Sequence, residues 1–170
     1  MKKNAKWIIV AVLAVIVCVY CISTYNSLAR QEQEVDTAWA NVEAQYQRRA
    51  DLIPNLVATV QGYAKHEQET FKQVVDARAK ALGTSGSIEE YAEAQQQVTA
   101  ALGRLIAISE NYPELKADAN FLELQAQLEG TENRISVERK KFNTMAQDYN
   151  TTISTFPNNL IASMFGFEKQ

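Results

Sequence analysis

Trp7-Ile-Ile-Val-Ala-Val-Leu-Ala-Val-Ile-Val-Cys-Val-Tyr-Cys-Ile22 is the stretch on which the architecture turns. No charged residue occurs from Trp7 to Ala29. With the uncharged flank to Tyr25 the run reaches about 19 residues, enough at about 1.5 Å per residue to cross roughly 30 Å of hydrocarbon as a helix. Trp7 at one end and Tyr20 and Tyr25 at the other stand where amphipathic rings settle at headgroup level. A cleaved signal peptide would need a shorter apolar core and a small-x-small site, which Cys18-Val-Tyr-Cys-Ile-Ser-Thr-Tyr25 does not offer. A lipoprotein signal would want a small residue before its cysteine, where Val17 and Tyr20 stand instead. The expectation is an uncleaved anchor that contacts the lipid bilayer through residues 7–25.

Lys2, Lys3 and Lys6 precede the run and only Arg30 follows it closely, an asymmetry that favours a cytoplasmic N-terminus and an extracytoplasmic domain. Arg48 and Arg49 dilute it slightly. Setting those three lysines aside from the formal net charge of −3 leaves −6 on the rest of the chain, against the basic stripe that nucleic acid requires. Both cysteines, Cys18 and Cys21, fall inside the apolar run, so the remainder has no thiolate for a disulfide scaffold or a metal. Their spacing resembles a redox pair, but in an apolar span it reads as packing or lipid-facing surface. Three prolines and six glycines, with abundant Ala, Gln and Glu, suit long helices rather than a sheet.

Beyond the run, Leu28, Val35, Trp39, Val42, Tyr46 and Ile53 recur at steps of three, four and seven, one face of a helix that continues from the anchor. Pro54 interrupts that pattern and disfavours helical geometry at Ile53, so that the first helix either breaks there or only kinks. A second stripe follows with Leu56, Val57, Val60, Tyr63, Phe71, Val74, Val75 and Leu82. Gly83-Thr-Ser-Gly-Ser87 is a loop, and Ser87-Ile-Glu-Glu90 is a capping box opening a third helix. That helix carries Ile88, Tyr91, Val98, Leu102, Leu105, Ile108 and Tyr112 and is closed by Pro113. The last opens near Asp118 and keeps Phe121, Leu124, Leu128, Ile135, Phe142, Met145, Tyr149 and Phe156 in near-heptad register until Pro157.

These elements predict an all-α fold, an N-terminal transmembrane helix followed by an antiparallel up-and-down four-helix bundle. The divisions are residues 1–25 for the cytoplasmic N-terminus and span, 26–157 for the bundle, and 158–170 for an apolar tail. In that geometry the tail lies near the membrane surface, where it either enters the headgroup zone or folds over the bundle end.

Several separated motifs resemble the LemA family of bacterial membrane proteins: Tyr25-Asn-Ser-Leu28, Ala38-Trp39, Arg48-Arg-Ala-Asp-Leu-Ile-Pro-Asn-Leu-Val57, Tyr63-Ala-Lys-His-Glu67, Ala77-Arg78, Tyr112-Pro-Glu-Leu-Lys-Ala117, Phe121-Leu-Glu-Leu-Gln125, Leu128-Glu-Gly-Thr-Glu-Asn-Arg-Ile135, and Phe156-Pro157 before Gly166-Phe167. Phe142-Asn143 departs from the family's more usual Tyr-Asn. The resemblance implies a single-pass membrane protein with a helical-bundle domain and brings no catalytic residue with it.

The residues that could carry chemistry are few. His66, the only histidine, lies beside Glu67 and Glu69, without the ligand spacing of a zinc site; a polar or capping role fits it, and no metal or cofactor is expected. Arg48, Arg49 and Asp51 would cluster at a membrane-distal turn before Pro54, either as ion pairs tying the turn to its neighbours or as a patch that docks a partner. Arg49 also falls on the apolar stripe and would need a partner if buried. Glu132, Arg134, Glu138 and Arg139 interrupt the last seam, with Glu138 predicted to face inward. The aromatic series Trp39, Tyr46, Phe71, Tyr91, Phe142 and Tyr149 reads as core. Serine nucleophiles, phosphate loops and dinucleotide fingerprints are absent. The expectation is a non-catalytic scaffold that presents a helical surface to an envelope protein or to a second copy of itself. The alternatives are a membrane-organising protein that engages lipid through anchor and tail, and, from a different class, an enzyme or metal binder.

Overall fold

The computed structural model describes residues 2–170, with side chains from Lys6 onward. Its elements are α1 (Lys2–Tyr63), α2 (Gln68–Gly83), α3 (Ile88–Ile108), a 3-10 turn (Ser109–Asn111), α4 (Pro113–Lys116), α5 (Ala119–Ser154) and α6 (Asn158–Phe165); no strand occurs among the described residues. Two compact units divide the chain, one of residues 1–41 with 138–170 and the other of residues 42–137.

The 42–137 unit is built on a core to which Ile53, Leu56, Val57 and Val60 of α1, Phe71, Val74 and Ala81 of α2, and Val98, Leu102 and Leu105 of α3 contribute, with Leu115 of α4 and Phe121 and Leu128 of α5. Burying each large aliphatic or aromatic side chain of this kind contributes about 1.5–3 kcal/mol. Not every residue on the predicted stripes reaches it: Tyr63, Val75 and Leu82 are exposed.

Pro54 does not end the first helix. It sits inside α1, and the break comes at Ala64–Glu67, ten residues later than the sequence pattern suggests. A proline in a helix removes the N–H that would bond the carbonyl four residues back, here that of Ala50. Arg78 of α2 fills the vacancy, its Nε donating to Ala50 O at 2.8 Å. The freed acceptor becomes a tertiary contact, and α1 runs on to Tyr63.

The connections follow local capping chemistry. Ser87 Oγ accepts from Glu90 N at 3.3 Å and opens α3. Asp118 opens α5 in the same way, Oδ1 accepting from Phe121 N at 2.9 Å, while its Oδ2 accepts from Tyr63 OH at 2.8 Å. Those bonds, the Phe121 amide first, hold the Asp118 carboxyl below the usual carboxylate range, and the shared proton raises Tyr63. Pro113 does not simply close α3: the helix ends at Ile108, and Pro113 starts the short α4, where its missing N–H costs nothing.

In the other unit, Leu28, Val35 and Ala38 of α1 are buried with Phe142, Ala146, Tyr149 and Ile153 of α5. Trp39 meets Phe142 with ring centroids 5.1 Å apart, and Tyr149 OH lies 3.5 Å from Glu32 Oε1. Contacts therefore pair later positions of α1 with earlier ones of α5, and the two stretches run antiparallel. Burial, then the Glu32 carboxylate and Asp36, push the Tyr149 phenol up to about 12. A raised folded-state pKa means the unfolded chain ionises first. Stability from Tyr149 is thus intact below pH 10.0 and is lost as pH rises toward about 12. Unfolding followed across that window should show this alkaline slope, and Tyr149→Phe should reduce it, leaving the part that Tyr63 and Tyr91 contribute.

α6 closes the chain against this unit. Gly166 takes the left-handed conformation with φ 77°, and Phe167 N donates to Ala162 O at 3.0 Å. That closure delivers the Phe167 ring to within 5.6 Å of Tyr25, beside Phe165 at 4.9 Å. Ile161 and Ala162 are buried, whereas Phe156 and Met145, expected on the seam, are exposed.

Candidate functional site

The most highly organised polar cluster in the 42–137 unit surrounds Arg49, only 1% exposed. Its position on the apolar stripe of α1 dictates burial, and a buried guanidinium must be met by acceptors. Nη1 donates to Glu132 Oε1 at 2.6 Å and to Thr99 Oγ1 at 2.7 Å; Nη2 donates to Gln95 Oε1 at 2.7 Å and Gln95 O at 2.9 Å. The guanidinium carbon also lies 5.2 Å from the centre of the Tyr46 ring, a cation–π distance. Nε and, one turn earlier, Gln45 Oε1 are buried without a protein partner. Tyr91 packs edge-on to Tyr46 at 5.6 Å, and burial, then Glu43, raise its phenol above the ordinary value.

The three residues expected to cluster at a turn therefore lie within α1 and separate by face. Arg49 is enclosed, while Arg48 and Asp51 are exposed, with Asp51 Oδ1 accepting from Gln47 Nε2 at 2.8 Å. Arg49 uses Nη1 and Nη2 internally and is buried, which leaves Arg48 and Asp51 as the accessible members of the set.

Glu132 meets the buried cation; Glu138 does not. Glu138 is half-buried and takes Lys141 at 2.7 Å, and Arg134 and Arg139 are exposed. His66 is exposed in the turn after α1, and among the described residues no group of three or more His, Cys, Asp or Glu side chains is placed to hold a metal ion. A groove along α2 and α3 is bridged by its own walls, Arg104 to Gln73 at 2.7 Å and Lys80 to Gln97 at 3.1 Å.

Gln95 and Thr99 were not singled out from the sequence. The available signal was two polar residues four apart on the face of α3 that also carries Val98 and Leu102, which calls for a polar partner on the opposing helix.

The other distinctive surface is the apolar segment of α1. From Trp7 to Val19 the large side chains stand exposed, and among the described residues this is the one helix long and apolar enough to cross a membrane. With the sealed polar core of the 42–137 unit, it defines an all-helical protein built on a membrane-competent N-terminal helix. The chain belongs to the LemA family, whose model matches residues 38–170, in agreement with the motifs read from the sequence. It is 27% identical to magnetosome protein MamQ of Magnetospirillum gryphiswaldense, over 85% of this chain and 62% of that protein. It is 26% identical to magnetosome protein MamQ 2 of Paramagnetospirillum magneticum, over 95% and 69%. Protein LemA of Metamycoplasma hominis is 26% identical, over 81% and 63%. The chain thus spans between three-fifths and seven-tenths of the length of these relatives.

Proposed function

We propose that this chain is a non-catalytic scaffold of the cell envelope, anchored by residues 7–25, with its N-terminus cytoplasmic and its 42–137 unit extracytoplasmic, where it binds another envelope protein. The observation that carries this reading is α1 itself, which bears an exposed apolar segment and also supplies a buried arginine whose Nη1 and Nη2 are directed to structural partners rather than to an open site. The lysines before the span support the orientation. The up-and-down four-helix arrangement belongs to the same proposal, supported by the single core to which α1, α2, α3 and α5 all contribute. Arg48 and Asp51 are the side chains of α1 offered for docking. In-cell crosslinking from a photoreactive residue at Arg48 should recover one recurrent envelope protein; only lipid adducts or self-crosslinks would overturn the scaffold reading. With Cys18 and Cys21 changed to serine, Ser85→Cys should react with a membrane-impermeant maleimide from the outer side. Labelling only after the membrane is opened would reverse the orientation.

A further inference from the structure

We propose that α6 lies in the headgroup zone of the bilayer, with Leu160 and Met164 as its lipid-facing edge, so that the chain holds the membrane at a second place beside its span. This rests on the reading of residues 7–25 as an anchor. α6 is fastened to the distal end of that segment: Tyr20 OH donates to Asn158 Oδ1 at 2.8 Å, and the Tyr25 ring packs against Phe165 and Phe167. Whatever depth the two tyrosines take, α6 takes with them, and ring-bearing residues at the end of a span settle at the interface.

One side of α6 is used for packing, through Ile161 and Ala162. Leu160 and Met164, four residues apart and so on one face of the helix, are 58% and 74% exposed, and Phe156 in the turn just before it is 75% exposed. Between Asn158 and Phe165 there is no charge, and Glu168 and Lys169 follow after Gly166 and Phe167. A short uncharged helix with one packed side and one bare apolar edge, held at the end of a span, fits a lipid surface, where that edge regains the burial it lacks. Lipid is the occupant favoured because the exposed apolar surface of α1 reaches Tyr20, the residue bonded to α6, so a bilayer covering one meets the other.

The test uses the full chain with Cys18→Ser and Cys21→Ser, reconstituted in phosphatidylcholine vesicles that carry spin-labelled lipid. A fluorophore is attached at Leu160→Cys or Met164→Cys, or at the controls Ile16→Cys and Lys140→Cys. A shallow spin label should quench the Leu160 and Met164 probes several-fold more than the Lys140 probe, and a mid-chain label should quench the Ile16 probe. Quenching at Ile16 with Leu160 and Met164 no different from Lys140 would overturn this proposal alone. No quenching at Ile16 would overturn the anchor and this proposal with it. Chain-to-chain crosslinking through Met164→Cys in place of lipid quenching would assign the edge to a second copy, and overturn it as well.

Discussion

Arg49→Ala is expected to destabilise the 42–137 unit by about 2–3 kcal/mol, the cost of an unmet buried acceptor and a void where the guanidinium stood. The alanine would leave Gln95 Oε1 without the donor it has now, and Glu132 without its cation. It would also open a void beside Tyr46, over which the guanidinium packs. Arg49→Lys should recover little, because a single ammonium cannot reproduce the forked geometry that reaches Glu132, Thr99 and Gln95 together. Glu132→Gln should cost less, about 1 kcal/mol, since the Glu132 side chain is 38% exposed and water screens its share of the pair. Hydrogen exchange of α3 amides in the full chain in detergent reads all three. An Arg49→Ala loss no larger than that of Glu132→Gln would mean the cluster does not hold this unit together.

The second large effect is a dependence between two residues far apart in sequence. Arg78→Met should cost about 1 kcal/mol, the penalty for leaving a partly buried carbonyl without a donor, because Ala50 O has lost its helical partner to Pro54. In a Pro54→Ala background the backbone N–H returns to Ala50 O, and Arg78→Met should become nearly silent. A double-mutant cycle on unfolding free energies isolates that coupling. Additive losses would show that Arg78 serves α1 in some way other than satisfying Ala50.

These two arginines mark where the sequence could be read and where it could not. Leu28, Val35, Val42, Tyr46 and Ile53 were legible as one buried face because helical periodicity is a local property, and Arg49 was legible as a residue that would need partners because it falls on that face. The identity of its partners was not, because spacing along one helix says nothing about which residue of another lies opposite. Glu138 was expected to face inward, and it is Glu132 that meets the cation. Pro54 left a break and a kink both open for the same reason: the rule that proline breaks a helix is local, and the donor that satisfies Ala50 comes from α2. The Arg48, Arg49 and Asp51 set, expected as one patch at a turn, separated once the helix continued through it. On α5 the apolar pattern gave the element but neither its face nor its end, since Met145 continues the heptad spacing and yet stands exposed, and Phe156 falls in the turn beyond Ser154.

Asp118 serves two helices with one charge. One oxygen caps α5 and the other holds the Tyr63 hydroxyl at the end of α1, and both bonds favour the ionised form. With the folded-state pKa lowered, their contribution is present in full above the ordinary carboxylate range and is lost as pH falls through the lowered value. A single proton arriving there loosens the start of one helix and the finish of another in the same event, so under acid this corner lets go as a clasp does, at both sides together.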